Sequence, residues 1–81
     1  MEMPLKYLYL CSNGEFTERI GKGTDNILVK LMLNDHDHRF PGEKIYYTRH
    51  WVDEDGLEWV DFGSWSTFYV ISDHEIKFEK S

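Results

Sequence analysis

The sequence lacks the features that staple a chain or carry it across a membrane. Its single cysteine, Cys11, cannot form an internal disulfide, which excludes a disulfide-rich secreted scaffold and predicts a reducing, cytoplasmic setting. No apolar stretch reaches the length of about 20 residues that a membrane-spanning helix needs, so no membrane association is predicted. With 81 residues the chain has room for one modest core, and residues 1–81 are predicted to form a single domain.

Basic residues are also few, and most of them lie in the first part of the chain. Residues 1–50 hold seven acidic and seven basic side chains, whereas residues 51–81 hold eight acidic side chains and only Lys77 and Lys80. The whole formal net charge of -6 therefore lies in the last third. Because phosphate contacts need a basic surface, this balance argues against nucleic acid as the main ligand.

Aromatic residues make up 16% of the sequence, and several of them are interleaved with the carboxylates of this base-poor stretch. Acidic side chains steer the encounter with a basic partner, and exposed aromatic rings anchor it. The pattern predicts a partner-binding face built from Asp53, Glu54, Asp55, Glu58, Asp61, Trp51 and Trp65. The alternative interpretation is a solvated acidic surface that only keeps a small protein in solution.

Turn signals are stronger than helix signals in the first part of the chain. Asn13-Gly14 lies between two apolar stretches and predicts a type I′ hairpin, in which Cys11 faces Phe16 and Tyr9 faces Glu18. The polar, glycine-rich residues 21–26 that follow are predicted to form a turn.

Residues 27–33 fit two structures. Asp25 could cap a helix, and the leucine, methionine and lysine of this run favour one. Alternation favours a strand, because it puts Ile27, Val29, Leu31 and Leu33 on one face, and a run of about seven residues suits a strand better. A strand is therefore predicted here, followed by a polar loop over residues 34–43.

The second half predicts further hairpins. Asp55-Gly56 forms the turn of one of them, with Val52 facing Trp59 unless a bulge shifts the register by one. The chain breaks at residues 63–66 and resumes as a strand over 67–72, and a last strand over 75–80 pairs back onto it. The predicted fold class is all-β, or α+β with one short helix: a small antiparallel barrel or bent sheet of five to seven short strands built from hairpins.

His36 and His38 are the residues most suggestive of a metal site. On an extended segment an H-x-H pair puts both imidazoles on one side, where zinc accepts them together with carboxylates. A structural zinc site needs four ligands, and the sequence offers two at a fixed spacing. A polar loop is the simpler explanation of this segment, and no cofactor is predicted.

No motif in the sequence supports catalysis. Cys11 lies in an apolar stretch, where a cysteine is more often an inert core residue than a thiolate. His50 is expected to lie opposite Asp61, but no nucleophile stands beside this pair. The sequence therefore predicts a protein that is not an enzyme.

The predicted function is that of a small acidic interaction module. It acts as a stoichiometric inhibitor or adaptor, docking an acidic, tryptophan-bearing face on a basic surface of a partner protein. A surface that normally holds nucleic acid is one candidate for that basic surface. Small acidic inhibitors carried by phages and other mobile elements have a similar size and charge. Two alternatives stay open: a small barrel that binds single-stranded nucleic acid, and a metal-binding domain using His36 and His38. Exposed strand edges also leave a homodimer open.

Overall fold

The computed structural model describes residues 4–79. Within this range there are five strands: β1 (Lys6–Ser12), β2 (Glu15–Gly23), β3 (Arg49–Val52), β4 (Glu58–Ser64) and β5 (Thr67–Ser72). One helix, α1 (Asp25–Arg39), connects β2 to the segment that leads into β3. Nothing helical in residues 4–79 is both long and apolar enough to cross a membrane.

All five strands belong to one open antiparallel sheet. Their order is β2-β1-β5-β4-β3, so β2 and β3 form its two edges and do not pair with each other. The predicted fold class is confirmed in its α+β form, a bent antiparallel sheet with a single helix in the part of the chain that the structure describes.

The two hairpins predicted at Asn13-Gly14 and Asp55-Gly56 form, with registers that differ from the expected ones. In the first, Cys11 faces Phe16 as expected, but a register shift between Leu10 and Cys11 places Arg19 rather than Glu18 opposite Tyr9, and a second shift follows between Leu8 and Tyr9. In the second, the loop between β3 and β4 has five residues, 53–57, instead of the two that were expected. This longer loop shifts the pairing by one residue, so that Trp51 faces Trp59.

The predicted turn over residues 21–26 is wrong, because β2 continues to Gly23 and α1 begins two residues later. The two glycines let the helix approach the strand. A Cβ atom on Gly23 would lie 2.7 Å from Cγ2 and 2.9 Å from Cβ of Ile27, and one on Gly21 would lie 2.6 Å from Cδ1 of Leu31. These glycines are therefore contact positions for α1.

Substitution of the two glycines is expected to destabilise the fold to different extents. We expect Gly23→Ala to lower the free energy of unfolding by about 1–3 kcal/mol, because the stem of Ile27 moves only if the helix moves. Gly21→Ala is expected to cost less, since it meets the far end of the flexible Leu31 side chain. Urea denaturation of both variants measures the difference, and equal losses would contradict this packing.

The predicted strand over residues 27–33 is also wrong, as is the predicted loop over 34–39, because both lie in α1. The helix begins at the carbonyl oxygen of Thr24, which accepts a hydrogen bond from the Leu28 amide at 2.9 Å. Asp25 in the first turn and Arg39 in the last turn both interact favourably with the helix dipole. Only the end of the predicted loop, Phe40-Pro41-Gly42 and Glu43, lies outside the helix.

The last strand predicted, over residues 75–80, does not form within the described residues, and Lys80 lies outside them. β5 already pairs with β1 on one side and β4 on the other, so it has no free edge for another strand. Residues 74–79 instead run over one face of the sheet, where the Ile76 amide donates a hydrogen bond to the Tyr9 hydroxyl at 2.7 Å.

The sheet separates two apolar clusters. The helix face carries eight buried residues: Leu8, Leu10, Leu28, Met32, Val60, Phe62, Tyr69 and Ile71. The opposite face, which we call the tail face, has Tyr9, Cys11 and Val70 at its centre. Aromatic rings and the C-terminal residues Ile76 and Phe78 pack around that centre. Both faces of the sheet are therefore partly covered, but by different means.

Candidate functional site

The helix covers only part of its face of the sheet. α1 packs mainly against β2 and β1, at one side of the sheet. Between α1 and strands β4 and β3 a groove of about 420 Å³ remains. Val29 and Leu33 form its helix wall, Val60 and Phe62 lie on its floor, and His50 of β3 lines the far side. We call this space the apolar groove.

The helix wall of this groove is exposed although it is apolar. Leu28 is fully buried against the sheet, whereas Val29 is 48% exposed and Leu33 is 46% exposed. Val29 and Leu33 lie four residues apart, so they share one side of the helix. This stripe has the spacing of a packing surface, and within residues 4–79 nothing covers it.

One end of the apolar groove is acidic. Lys6 Nζ lies 3.2 Å from Asp25 Oδ1 and 4.0 Å from Glu58 Oε2, and both carboxylates line the groove. The β3–β4 turn and the end of β5 meet at the same place. This assembly, which we call the acidic end, comprises Asp25, Glu54, Asp55, Glu58 and Asp73.

Glu54 and Asp55 are exposed, and within the described residues neither belongs to an ion pair. Glu58 is half-buried beside Lys6, and Asp73 is exposed with His74 Nδ1 at 2.8 Å. The acidic end therefore combines unpaired carboxylates on a turn with partly neutralised ones beside the groove.

Two of the predicted partner-binding carboxylates have internal roles. Asp53 accepts hydrogen bonds from the Trp59 indole nitrogen at 2.7 Å and from the amides of Asp55 and Leu57, and these bonds lower the pKa of its carboxyl group. Asp61 is buried and accepts hydrogen bonds from Arg49 at 3.1 Å and from the Gly63 amide at 2.7 Å. Both residues hold the ends of β4 in place.

The two predicted tryptophans lie away from the acidic end. Trp51 is on the tail face, where its ring stacks on Trp59 with the ring centroids 6.1 Å apart, and the Arg49 guanidinium lies over it. Trp65 lies in the β4–β5 turn, at the opposite end of β4, and is 73% exposed. The predicted face is thus divided: the structure groups Glu54, Asp55 and Glu58 and separates both tryptophans from them.

Trp65 and Ser66 occupy backbone conformations that are unfavourable for their side chains, with φ of 54° and 57°. Asn-Gly is the pair preferred in such a hairpin turn. We therefore expect the double substitution Trp65→Asn with Ser66→Gly to raise the free energy of unfolding by about 1–2 kcal/mol. Trp65→Ala, which keeps the strained backbone, provides the control. An unchanged midpoint of the double variant in urea would contradict this account of the turn.

The structure does not place His36 and His38 together as the H-x-H prediction required. The segment that holds them is helical rather than extended, so His36 faces the sheet and His38 faces solvent. His36 Nε2 lies 2.7 Å from Ser64 Oγ, whereas His38 Nδ1 lies 2.9 Å from the Asn34 carbonyl oxygen. In residues 4–79 no group of three or more His, Cys, Asp or Glu side chains is placed to hold a metal ion.

His50, expected to pair with Asp61, instead faces Val60 across the β3–β4 ladder, and Arg49 takes the place opposite Asp61. The cause is the one-residue shift in this hairpin. His50 therefore lines the apolar groove, a location that the sequence did not indicate.

A polar network ties the end of α1 to the sheet. Tyr69 Oη donates a hydrogen bond to Asp35 at 2.6 Å, and Arg39 donates to Asp35 and to Glu18. Burial raises the pKa of Asp35, but the hydrogen bonds from Arg39 and Tyr69 outweigh it and leave that pKa below its usual value. The network connects the last turns of α1 to Glu18 of β2 and Tyr69 of β5.

Comparisons of the chain with protein-family models, with curated proteins and with solved structures found no match.

Proposed function

We propose that this protein is a non-catalytic binding module that docks on a basic surface of a partner protein. The observation that carries the proposal is the position of the acidic end directly beside the apolar groove, since Asp25 and Glu58 belong to both. As an inhibitor or adaptor, it would act in proportion to the amount of partner. If the partner surface normally holds nucleic acid, the carboxylates take the place of phosphates there.

The charges of the acidic end support fast and selective encounter. The base-poor stretch of the sequence supplies Glu54, Asp55, Glu58 and Asp73, and the first turn of α1 adds Asp25. Exposed carboxylates attract a basic surface over roughly 8–10 Å at physiological salt. They mainly increase the association rate and exclude acidic partners, and they contribute less to the final affinity.

Burial of apolar surface in the groove supplies the part of the binding affinity that the charges do not. Burial of apolar surface stabilises a complex by roughly 25 cal/mol for each Å² removed from water. Val29 and Leu33 are about half exposed, so a docked partner removes further apolar surface from water without unfolding any element. The combination of an apolar centre with a charged rim is typical of protein-binding surfaces.

The reactive groups of the chain support a role without catalysis. Cys11 is a buried free thiol, and burial raises the pKa of that thiol, which favours its unreactive protonated form. His36 and Ser64 are hydrogen-bonded to each other but are both buried, at 2% and 8% exposure. A reducing cytoplasm suits the free cysteine, and we place the proposed role there.

The proposal is tested by capturing partners from a lysate of the native host, with and without nuclease, using tagged protein. The first variant carries Glu54→Lys, Asp55→Lys and Asp73→Lys in the acidic end. The matched control carries Asp37→Lys, Glu43→Lys and Glu79→Lys, which change the net charge equally at other exposed positions. Asp53 is left unchanged, because its carboxylate holds the turn.

We expect one stoichiometric protein to be captured by the wild type and by the control, to survive nuclease, and to be lost from the acidic-end variant. Equal capture by both variants would contradict the proposal. Capture of nucleic acid alone, lost after nuclease treatment, would instead favour the single-stranded nucleic-acid-binding alternative, whose affinity for an oligonucleotide falls steeply with salt.

A further inference from the structure

We infer that the apolar groove holds an amphipathic helix of the partner protein, laid beside α1 across β4 and β3. Lysine or arginine side chains of this helix lie at the end that meets Asp25 and Glu58. The inference rests on the proposed function and names the kind of segment that docks.

The width of the uncovered sheet matches one helix. Neighbouring strands lie about 4.8 Å apart, so five strands span roughly 19 Å between the outermost strand axes. A helix with its side chains is about 10 Å wide and packs at about 8–10 Å from a neighbouring helix. α1 lies mainly over β2 and β1, and its last turns also contact Tyr69 of β5 and Ser64 of β4. Beside the earlier turns of α1, the remaining width over β4 and β3 is close to that of a second helix. The docked helix completes a two-layer arrangement.

The walls of the groove present side chains rather than free backbone groups. Val29 and Leu33 repeat at i and i+4 along α1, which gives a ridge that packs against a second helix. The floor, including Val60 and Phe62, belongs to a strand that is hydrogen-bonded on both sides. A docked strand would need unpaired backbone groups, whereas a helix satisfies its own. The groove therefore favours a helix with an apolar stripe.

Charge sets the orientation and the chemistry of the docked helix. Asp25 and Glu58 share the single ammonium group of Lys6, and the unpaired Glu54 and Asp55 lie on the adjoining turn. Basic side chains near one end of the docked helix compensate this excess of negative charge. A second copy of this chain is disfavoured in the groove, because it carries the same net charge of -6.

The test uses a synthetic peptide of about 16 residues, with leucine at i, i+3, i+4 and i+7 and lysine at the flanks. Two control peptides have the same leucines scrambled over all sides, or glutamate in place of lysine. Binding to the full, ¹⁵N-labelled chain is followed by amide chemical shifts. Leu33→Glu, in the groove, is compared with Asn34→Glu, its exposed neighbour on the solvent side, which adds the same charge.

The expected result is a set of shifts confined to β4, to β3 and to the helix wall at Val29 and Leu33. Leu33→Glu is expected to weaken binding at least about tenfold, while Asn34→Glu leaves it unchanged. Both control peptides are expected to bind at least about tenfold more weakly.

Three results would overturn the inference. They are shifts confined to the outer edge of β3, which would indicate strand addition, equal effects of Leu33→Glu and Asn34→Glu, and the absence of binding at millimolar peptide. If one of them occurs while the acidic-end variant still loses its partner, the proposed function stands and only the helix is wrong. If the peptide binds in the groove but charge reversal leaves capture unchanged, the proposed function fails instead.

Discussion

Leu28→Ala is expected to lower the free energy of unfolding by about 2–5 kcal/mol, the range for truncating a fully buried leucine. Leu28 is fully buried between α1 and the sheet, within the cluster that joins the two. A domain of this size has a total stability of only several kcal/mol, so we expect a substantial unfolded fraction at 25 °C. Chemical denaturation followed by far-ultraviolet circular dichroism measures the loss.

Leu33→Ala is the matched control for this prediction. It makes the same substitution on the same helix, but Leu33 faces the open groove and is half exposed. We expect a loss below about 1 kcal/mol, since little buried volume is removed. Similar losses at the two positions would contradict the orientation of α1 and with it the groove.

Phe78→Ala is expected to lower the free energy of unfolding by about 1.5–3 kcal/mol. The Phe78 ring packs edge-on against Tyr9, with centroids 5.9 Å apart, and lies 6.0 Å from the ring of Phe16. Its removal exposes the aromatic centre of the tail face. A chain that ends at Glu75 also loses Ile76, and we expect a larger loss, about 2–5 kcal/mol, with the onset of aggregation.

Lys77→Ala provides the control for Phe78→Ala. Lys77 is exposed beside Phe78, so its truncation should change the stability by less than about 0.5 kcal/mol. Fluorescence of the tryptophans near this cluster reports unfolding in both variants. If Phe78→Ala were as mild as Lys77→Ala, the C-terminal segment would not be part of the core.

The sequence was sufficient for features that depend on neighbouring residues. Asn13-Gly14 gave the first hairpin, and the pairing nearest to the turn, Cys11 with Phe16, is confirmed. Further along the same hairpin the expected pairs fail, because two register shifts intervene. No local signal in the sequence marks these shifts.

The strand prediction over residues 27–33 failed because the apolar residues of α1 lie on three sides of the helix. Leu28 and Met32 face the sheet, Leu31 packs over Gly21, and Val29 and Leu33 line the groove. A segment with this distribution shows no single helical stripe, and its residues alternate as they would in a strand. Contacts between α1 and β2 stabilise the helix, and the sequence of residues 27–33 alone does not reveal them.

The sequence predicted the acidic residues of the candidate site but not the apolar groove beside them. Composition located Glu54, Asp55 and Glu58, but it could not distinguish them from Asp53 and Asp61, which serve the fold. The apolar groove exists because α1 lies over the β2 and β1 end of the strand order and leaves much of β4 and β3 uncovered. The sequence did not predict this strand order. Side-chain accessibility, rather than residue type, separates the proposed binding residues from those that serve the fold.

Amide hydrogen exchange of the protein, alone and bound to the partner that it captures, tests the central claim most directly. The claim is that the apolar groove and the acidic end form one docking surface. We predict slower exchange in residues 25–33 and 48–62 on binding, with little change in β2 and in the turn that carries Trp65. Protection confined to that turn or to the β2 edge would contradict the claim, because the partner would then bind at the opposite end or the far side of the sheet.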